Sequence, residues 1–267
     1  MSDRGDGVAV PELPAQPARR LLAAGAIDLT IALVVMFAAS LAGGVVWAVW
    51  RGLELRSSGV TDASAMMSAL GEPGALAQML MAITSMASAA LLLYFWRRPA
   101  SAQERLQSWS ALARPATWGW VVLVGALVFA LTSAAGWAMQ LLGNDPVPTN
   151  LAMVEEASRR WPLFLYLFAV VLAPAYEELL FRRVLFGRFL AAGRPWLGLI
   201  ISSAAFALMH EVPGLSANPW PAVIQLLMVY AGMGAAFAWV YWRTGTLWAP
   251  IAAHALNNAI ALTVHGL

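Results

Sequence analysis

The sequence predicts an all-α, polytopic transmembrane bundle of about seven helices, within a range of six to eight, with its N-terminus inside the cell. Three observations predict it. Of 267 residues 61% are hydrophobic and only 11% charged, and the mean hydropathy is +0.70, so the chain has more apolar surface than a soluble domain of this size can bury. The apolar residues fall in long runs rather than short alternating segments, and lipid admits only helices or closed barrels as spanning structures. The arginines, finally, distribute unequally between the two sets of connections.

Residues 1–20 contain Pro11, Pro14 and Pro17 among mixed charges and are expected to form a disordered cytosolic tail. The first apolar run, Ala23 to Trp50, is too long for a cleavable signal segment and lacks a convincing small-residue cleavage site before Arg51, so it reads as the first span. Further runs at Ala75 to Trp96, Trp118 to Leu142, Leu163 to Phe189, Trp196 to Val212, Ala222 to Trp242 and Thr246 to Val264 give seven. A ~30 Å hydrocarbon layer needs about 20 residues, so the run after Trp196 is short.

Threading these spans from an inside N-terminus places twelve arginines inside and four, Arg51, Arg56, Arg159 and Arg160, outside. That is the positive-inside bias. Tryptophans cluster at the span ends, as interfacial belts do. The longest polar connections, Gly52 to Pro73 and Gly143 to Arg160, leave no room for a second soluble domain, so residues 21–267 form one membrane domain.

There is no cysteine, which removes disulfides, thiolate nucleophiles and Cys-ligated metal sites. The formal net charge is only +2 and no basic run could grip nucleic acid. All 16 basic residues are Arg and none Lys, which with the abundant Ala points to a GC-rich bacterial source and hence to a multi-pass protein of the bacterial cytoplasmic membrane.

The chemistry-bearing residues lie between 163 and 264. Glu177 and Glu178 sit in the fourth apolar run, where an ionisable residue costs at least ~2.5–3.5 kcal/mol and usually lines a cavity or pathway. Glu178 and Arg182 are spaced i,i+4 and can pair on one face, whereas Glu177 points about 100° away. Pro174 deprives the carbonyl of Val170 of its helical donor and is expected to kink the helix. Phe206 and His210 share a face of the next helix, and His254 and Asn258 share a face of the last. Rises of 1.5 Å per residue put Glu177, His210 and His254 at about 16, 21 and 12 Å from the inner helix ends, compatible with one cavity. Asp28 and His265 read as structural or neutral.

Glu-Glu-x-x-x-Arg, then Phe-x-x-x-His, then His-x-x-x-Asn, in that order, resembles the CAAX-protease and bacteriocin-processing (CPBP, or Abi) family of intramembrane proteases. The match is without substitution at Glu177, Glu178, Arg182, Phe206, His210, His254 and Asn258 and covers about Leu163 to Val264. No Gly-x-Ser-x-Gly elbow of the rhomboid kind or Gly-x-Gly-Asp of the presenilin kind is present, and Gly214 breaks the His-Glu-x-x-His pattern begun at His210. The resemblance implies an endopeptidase acting on a membrane-associated protein or peptide. In that setting Glu177 would act as general base on a water also held by His210, and His254 and Asn258 would donate to the oxyanion. Arg182 would hold Glu178, and Phe206 would pack beside the site. A metal-free mechanism is favoured. The alternative has Glu177, His210 and His254 holding a zinc with a water in its open position. Two other readings of the cluster stay open: a non-catalytic peptide-binding or immunity factor, and a proton-coupled carrier, against which stands the absence of a repeated half.

Overall fold

The computed structural model describes residues 17–266, and every regular element among them is helical. Ten helices follow one another: α1 Ala18–Ser57, α2 Ala63–Ala69, α3 Ala75–Arg97, α4 Ala102–Leu112 and α5 Pro115–Leu141 come first. They are followed by α6 Leu151–Arg160, α7 Pro162–Ala191, α8 Pro195–His210, α9 Trp220–Thr244 and α10 Trp248–Val264. Helices α1, α3, α5, α7 and α9 are long and apolar enough to cross a bilayer. Helices α8 and α10, with 16 and 17 residues, complete the expected seven; each is about 24–26 Å long. The chain is a polytopic helical bundle.

Three boundaries differ from the sequence reading. Helix α1 starts at Ala18, directly after Pro17, so residues 18–20 belong to it rather than to the expected tail; residues 1–16 of that tail lie outside the described residues. Its 40 residues reach about 60 Å, well past Trp50, and Arg51 pairs with Glu54 at 2.7 Å along the extension. The connection before α5 contains α4, whose start is fixed by a capping box in which Ser101 and Glu104 each accept the other's backbone N–H. The connection after α5 contains the amphipathic α6.

The bundle pairs α1 with α3, α5 with α10 and α8 with α9. Glycine makes two of these contacts possible: a Cβ on Gly125 would lie 2.9 Å from the Ala253 carbonyl oxygen, and one on Gly234 would lie 2.9 Å from the Ser203 Cα, the close approach that small residues allow between membrane helices. One apolar core joins α1, α3, α7 and α8 through residues such as Leu93, Phe181 and Phe206. A second joins α5, α9 and α10 through Val124, Phe237 and Ala253, and Met233 packs against both. Much of α1, including Phe37 and Val46, is exposed, as a lipid-facing surface would be.

One end of the bundle is tied by charge. Asp28, buried in α1, accepts from Arg97 Nε at 2.9 Å and Arg188 Nε at 2.8 Å. These ion pairs give Asp28 a structural place in the bundle. Arg98 donates to the Gly187 carbonyl at 3.0 Å, and Arg183 forks onto Glu104 at 2.8 and 3.0 Å.

Candidate active site

Helix α7 is built in unequal registers. Residues Leu167–Leu172 and Leu179–Phe186 are π-helical, and Ala173–Glu178 between them is α-helical. Such wide turns are rare and cluster at functional sites. Here Pro174 explains the first one. In the five-residue register Ala173 N–H donates to the Phe168 carbonyl, so the next donor, at position 174, is owed to Ala169, and proline has none. The carbonyl left open is thus that of Ala169 rather than Val170. Asn258 Nδ2, on α10, donates to it at 2.8 Å, and Asn257 Nδ2 donates to the Asn258 oxygen at 2.9 Å.

The adjacent carboxylates face different surroundings. Glu178 is fully buried; its Oε1 accepts from His254 Nδ1 at 3.0 Å and its Oε2 lies 2.9 Å from Arg182 Nε. The contact with Arg182 is an ion pair by distance without hydrogen-bond alignment, and no guanidinium nitrogen has a hydrogen-bond acceptor among the described residues. The cation is held instead by aromatic faces, 4.7 Å from the Phe206 centroid, 5.6 Å from Phe237 and 5.8 Å from Phe181. Phe237 also stacks on His254 at 4.8 Å.

Glu177 is partly open. Its Oε2 lies 3.6 Å from His210 Nε2, outside direct hydrogen-bond range, and has no hydrogen-bond partner among the described residues. His210 Nδ1 is 2.8 Å from the Phe206 carbonyl, which can only accept, so Nδ1 carries the proton and Nε2 turns a lone pair toward Glu177 unless the ring is cationic. The same logic at Glu178 puts the Nδ1 proton of His254 on the carboxylate side and leaves Nε2 free.

Three helices therefore bring six of the seven expected residues into a pair, Glu177 with His210, and a trio, Glu178 with His254 and Arg182, with Phe206 as aromatic support. The seventh, Asn258, faces Ala169 and braces the break in α7. The trio Glu177, His210 and His254 does not close as a ligand set: His254 is turned onto Glu178, and no group of three His, Asp or Glu side chains among the described residues could hold a metal ion. His265 lies at the C-cap of α10, away from these contacts.

Two neighbours were not anticipated from the sequence. Tyr230 of α9 stacks on His210 with ring centroids 4.7 Å apart. Glu211, which follows His210 and caps α8, is fully buried and accepts from Thr149 Oγ1 at 2.7 Å and Asn218 Nδ2 at 3.3 Å. Asn218 also exchanges two hydrogen bonds with the Val147 backbone, at 3.0 and 2.8 Å, so the connections before α6 and after α8 are joined at this end of the site. The one signal for Glu211 was its place beside His210; Tyr230 sits in an apolar helix without any motif.

A bundle of membrane helices with carboxylate–histidine pairs at the junction of its cores defines a polytopic membrane protein with a polar cluster in its interior. Residues 159–260 match the family described as type II CAAX prenyl endopeptidase Rce1-like. Two bacterial relatives agree. The membrane-embedded CAAX protease MroQ of Staphylococcus aureus is 30% identical over 150 residues, 54% of this chain and 56% of that protein. YdiL, a candidate membrane peptidase of Bacillus subtilis, is 31% identical over 113 residues, 42% of this chain and 41% of that protein. This C-terminal region is similar to the CAAX-protease (CPBP) family. The chain spans about half the length of the curated relatives it matches. No solved structure matches it. With its apolar helices, these relatives mark a multi-pass protein of a bacterial cell membrane.

Proposed function

We propose that the chain is a CAAX-type membrane endopeptidase that cleaves a membrane-associated protein or peptide with a water activated by Glu177. The observation that carries this reading is the 3.6 Å gap between Glu177 Oε2 and His210 Nε2, unbonded although that oxygen is buried, beside a closed Glu178–His254–Arg182 cluster. A water bridging that gap would have two acceptors. Glu177 removes its proton as the oxygen attacks the peptide carbonyl carbon, and returns that proton to the leaving amine as the C–N bond breaks. With both histidines neutral, Glu177, Glu178 and Arg182 sum to one negative charge. No step is routed through a metal.

The arginine asymmetry further leads us to place the arginine-rich end, with Arg97, Arg183 and Arg188, inside the cell; a reporter fused at position 267 would then read outside. The test of function is a comparison of membrane proteomes from cells expressing the full chain or its Glu177→Gln variant. Substrates should accumulate intact, and be captured, in the variant. The same fragments in both would overturn proteolysis, and retained peptide capture would then favour a binding role.

A further inference from the structure

Resting on that reading of the site, we propose that Tyr230 is a further catalytic residue, its hydroxyl donating to the oxyanion of the tetrahedral intermediate. The argument begins with a count of donors. His210 commits its Nδ1 proton to the Phe206 carbonyl, and His254 commits its own to Glu178. Asn258 anchors its amide on Ala169. The Arg182 guanidinium is enclosed by three phenyl rings and wholly buried. Apart from the second Nδ2 proton of Asn258 these donors are committed, and a neutral O–H beside His210 adds one.

Tyr230 supplies it. Its ring lies against His210 at 4.7 Å and 30°, so the phenol is carried alongside the histidine that faces Glu177. Its phenol is within electrostatic reach of both Glu177 and Glu211. A half-buried tyrosine hydroxyl usually finds a partner. A phenol that ordinarily ionises near pH 10 also keeps its proton at neutral pH, so it can donate as it stands. Stacking fixes the ring, leaving only the O–H torsion to adjust.

The experiment uses the purified full chain in lipid nanodiscs with a quenched fluorogenic peptide that the wild type cleaves, comparing wild type, Glu177→Gln, Tyr230→Phe and Tyr230→Leu. Tyr230→Phe keeps the stack and removes the donor. It should lower kcat by about 10²–10³-fold, the usual loss for one oxyanion donor, with KM and thermal midpoint unchanged. Tyr230→Leu, which loses the stack as well, should also raise KM or lower the midpoint. Cleavage that depends on Glu177 but is unchanged in Tyr230→Phe overturns the role of Tyr230 alone. Cleavage that survives Glu177→Gln overturns the reading of the site, and this assignment with it.

Discussion

Glu177 and Glu178 are neighbours in sequence and share one helix, yet they occupy opposite regimes. Glu178 is sealed from solvent, hydrogen-bonded to His254 and held against Arg182; Glu177 is partly exposed and stands short of bonding distance from His210. The difference teaches that a helix turning 100° per residue can seal one carboxylate among partners and leave the next partly exposed and unpaired. Removing a framework charge leaves its partners buried and uncompensated. Removing Glu177 should leave packing intact and, under the proposed mechanism, take away only a proton acceptor.

The comparison breaks most sharply on activity. Glu177→Gln should lose roughly 10²–10⁴-fold in turnover, the usual weight of a general base, with a thermal midpoint in detergent close to wild type. His210→Ala and His254→Ala should abolish cleavage, and His265→Ala, at the C-cap of α10, should leave it unchanged. A stable, fully active Glu178→Gln beside an unstable Glu177→Gln would exchange the two roles.

The next effect is on stability. Glu178→Gln or Arg182→Ala strands a charge in a sealed pocket and should cost about 3–5 kcal/mol, read as lower expression and an earlier melt. The double change Glu178→Gln, Arg182→Gln should recover part of that loss, because neither charge then stands alone. Recovery stays partial since His254 Nδ1 still loses its anionic acceptor. Full recovery would show that the His254 bond adds nothing.

How far the sequence carried this picture depends on the length scale of the signal. The seven apolar helices were legible because lipid demands about 20 apolar residues for each span, and the pairing of Glu178 with Arg182 because i,i+4 neighbours meet on any helix. Helix α4 was missed although Ser101 and Glu104 spell a capping box, since its apolar content is too low to register as a span. The partner of His254 was not legible at all. Nothing local says which of two adjacent carboxylates a histidine 76 residues later will meet; that follows from the π turns, which shift the phase of α7.

Those turns supply a smaller test. Asn258→Ala should leave the half-buried Ala169 carbonyl without its donor, at up to about 1–3 kcal/mol. Pro174→Ala in the same chain restores an N–H at the position that owes the bond, and the pair should be more stable than Asn258→Ala alone. If Pro174→Ala brings no recovery in that background, Asn258 is not there to brace the break, and its amide is free for the oxyanion role that the family resemblance implies.

The smallest effect sharpens the comparison at the neighbouring arginines. Arg182 is sealed behind aromatic rings, whereas Arg183 reaches the bundle end and forks onto Glu104 of α4. The Arg183 hydrogen bonds hold the Glu104 carboxyl well below its usual range, from 4.5 down to about 2, with the backbone and hydroxyl of Ser101 adding to the shift against the opposing effect of burial. A carboxyl whose proton affinity falls on folding contributes stability above its unfolded value, and that contribution is lost as pH falls through its folded value. The thermal midpoint of the wild type should therefore exceed that of Glu104→Gln at neutral pH. The gap should shrink between pH 4.5 and about 2 and close below that window, other carboxylates titrating alike in both proteins. Because the Glu104 side chain is 43% exposed, solvent screens the pair and the gap should be small. A gap that persists unchanged to the acid end would mean that α4 is held by its capping box and apolar contacts, and that Arg183, like Arg182, owes its place to packing rather than to its carboxylate.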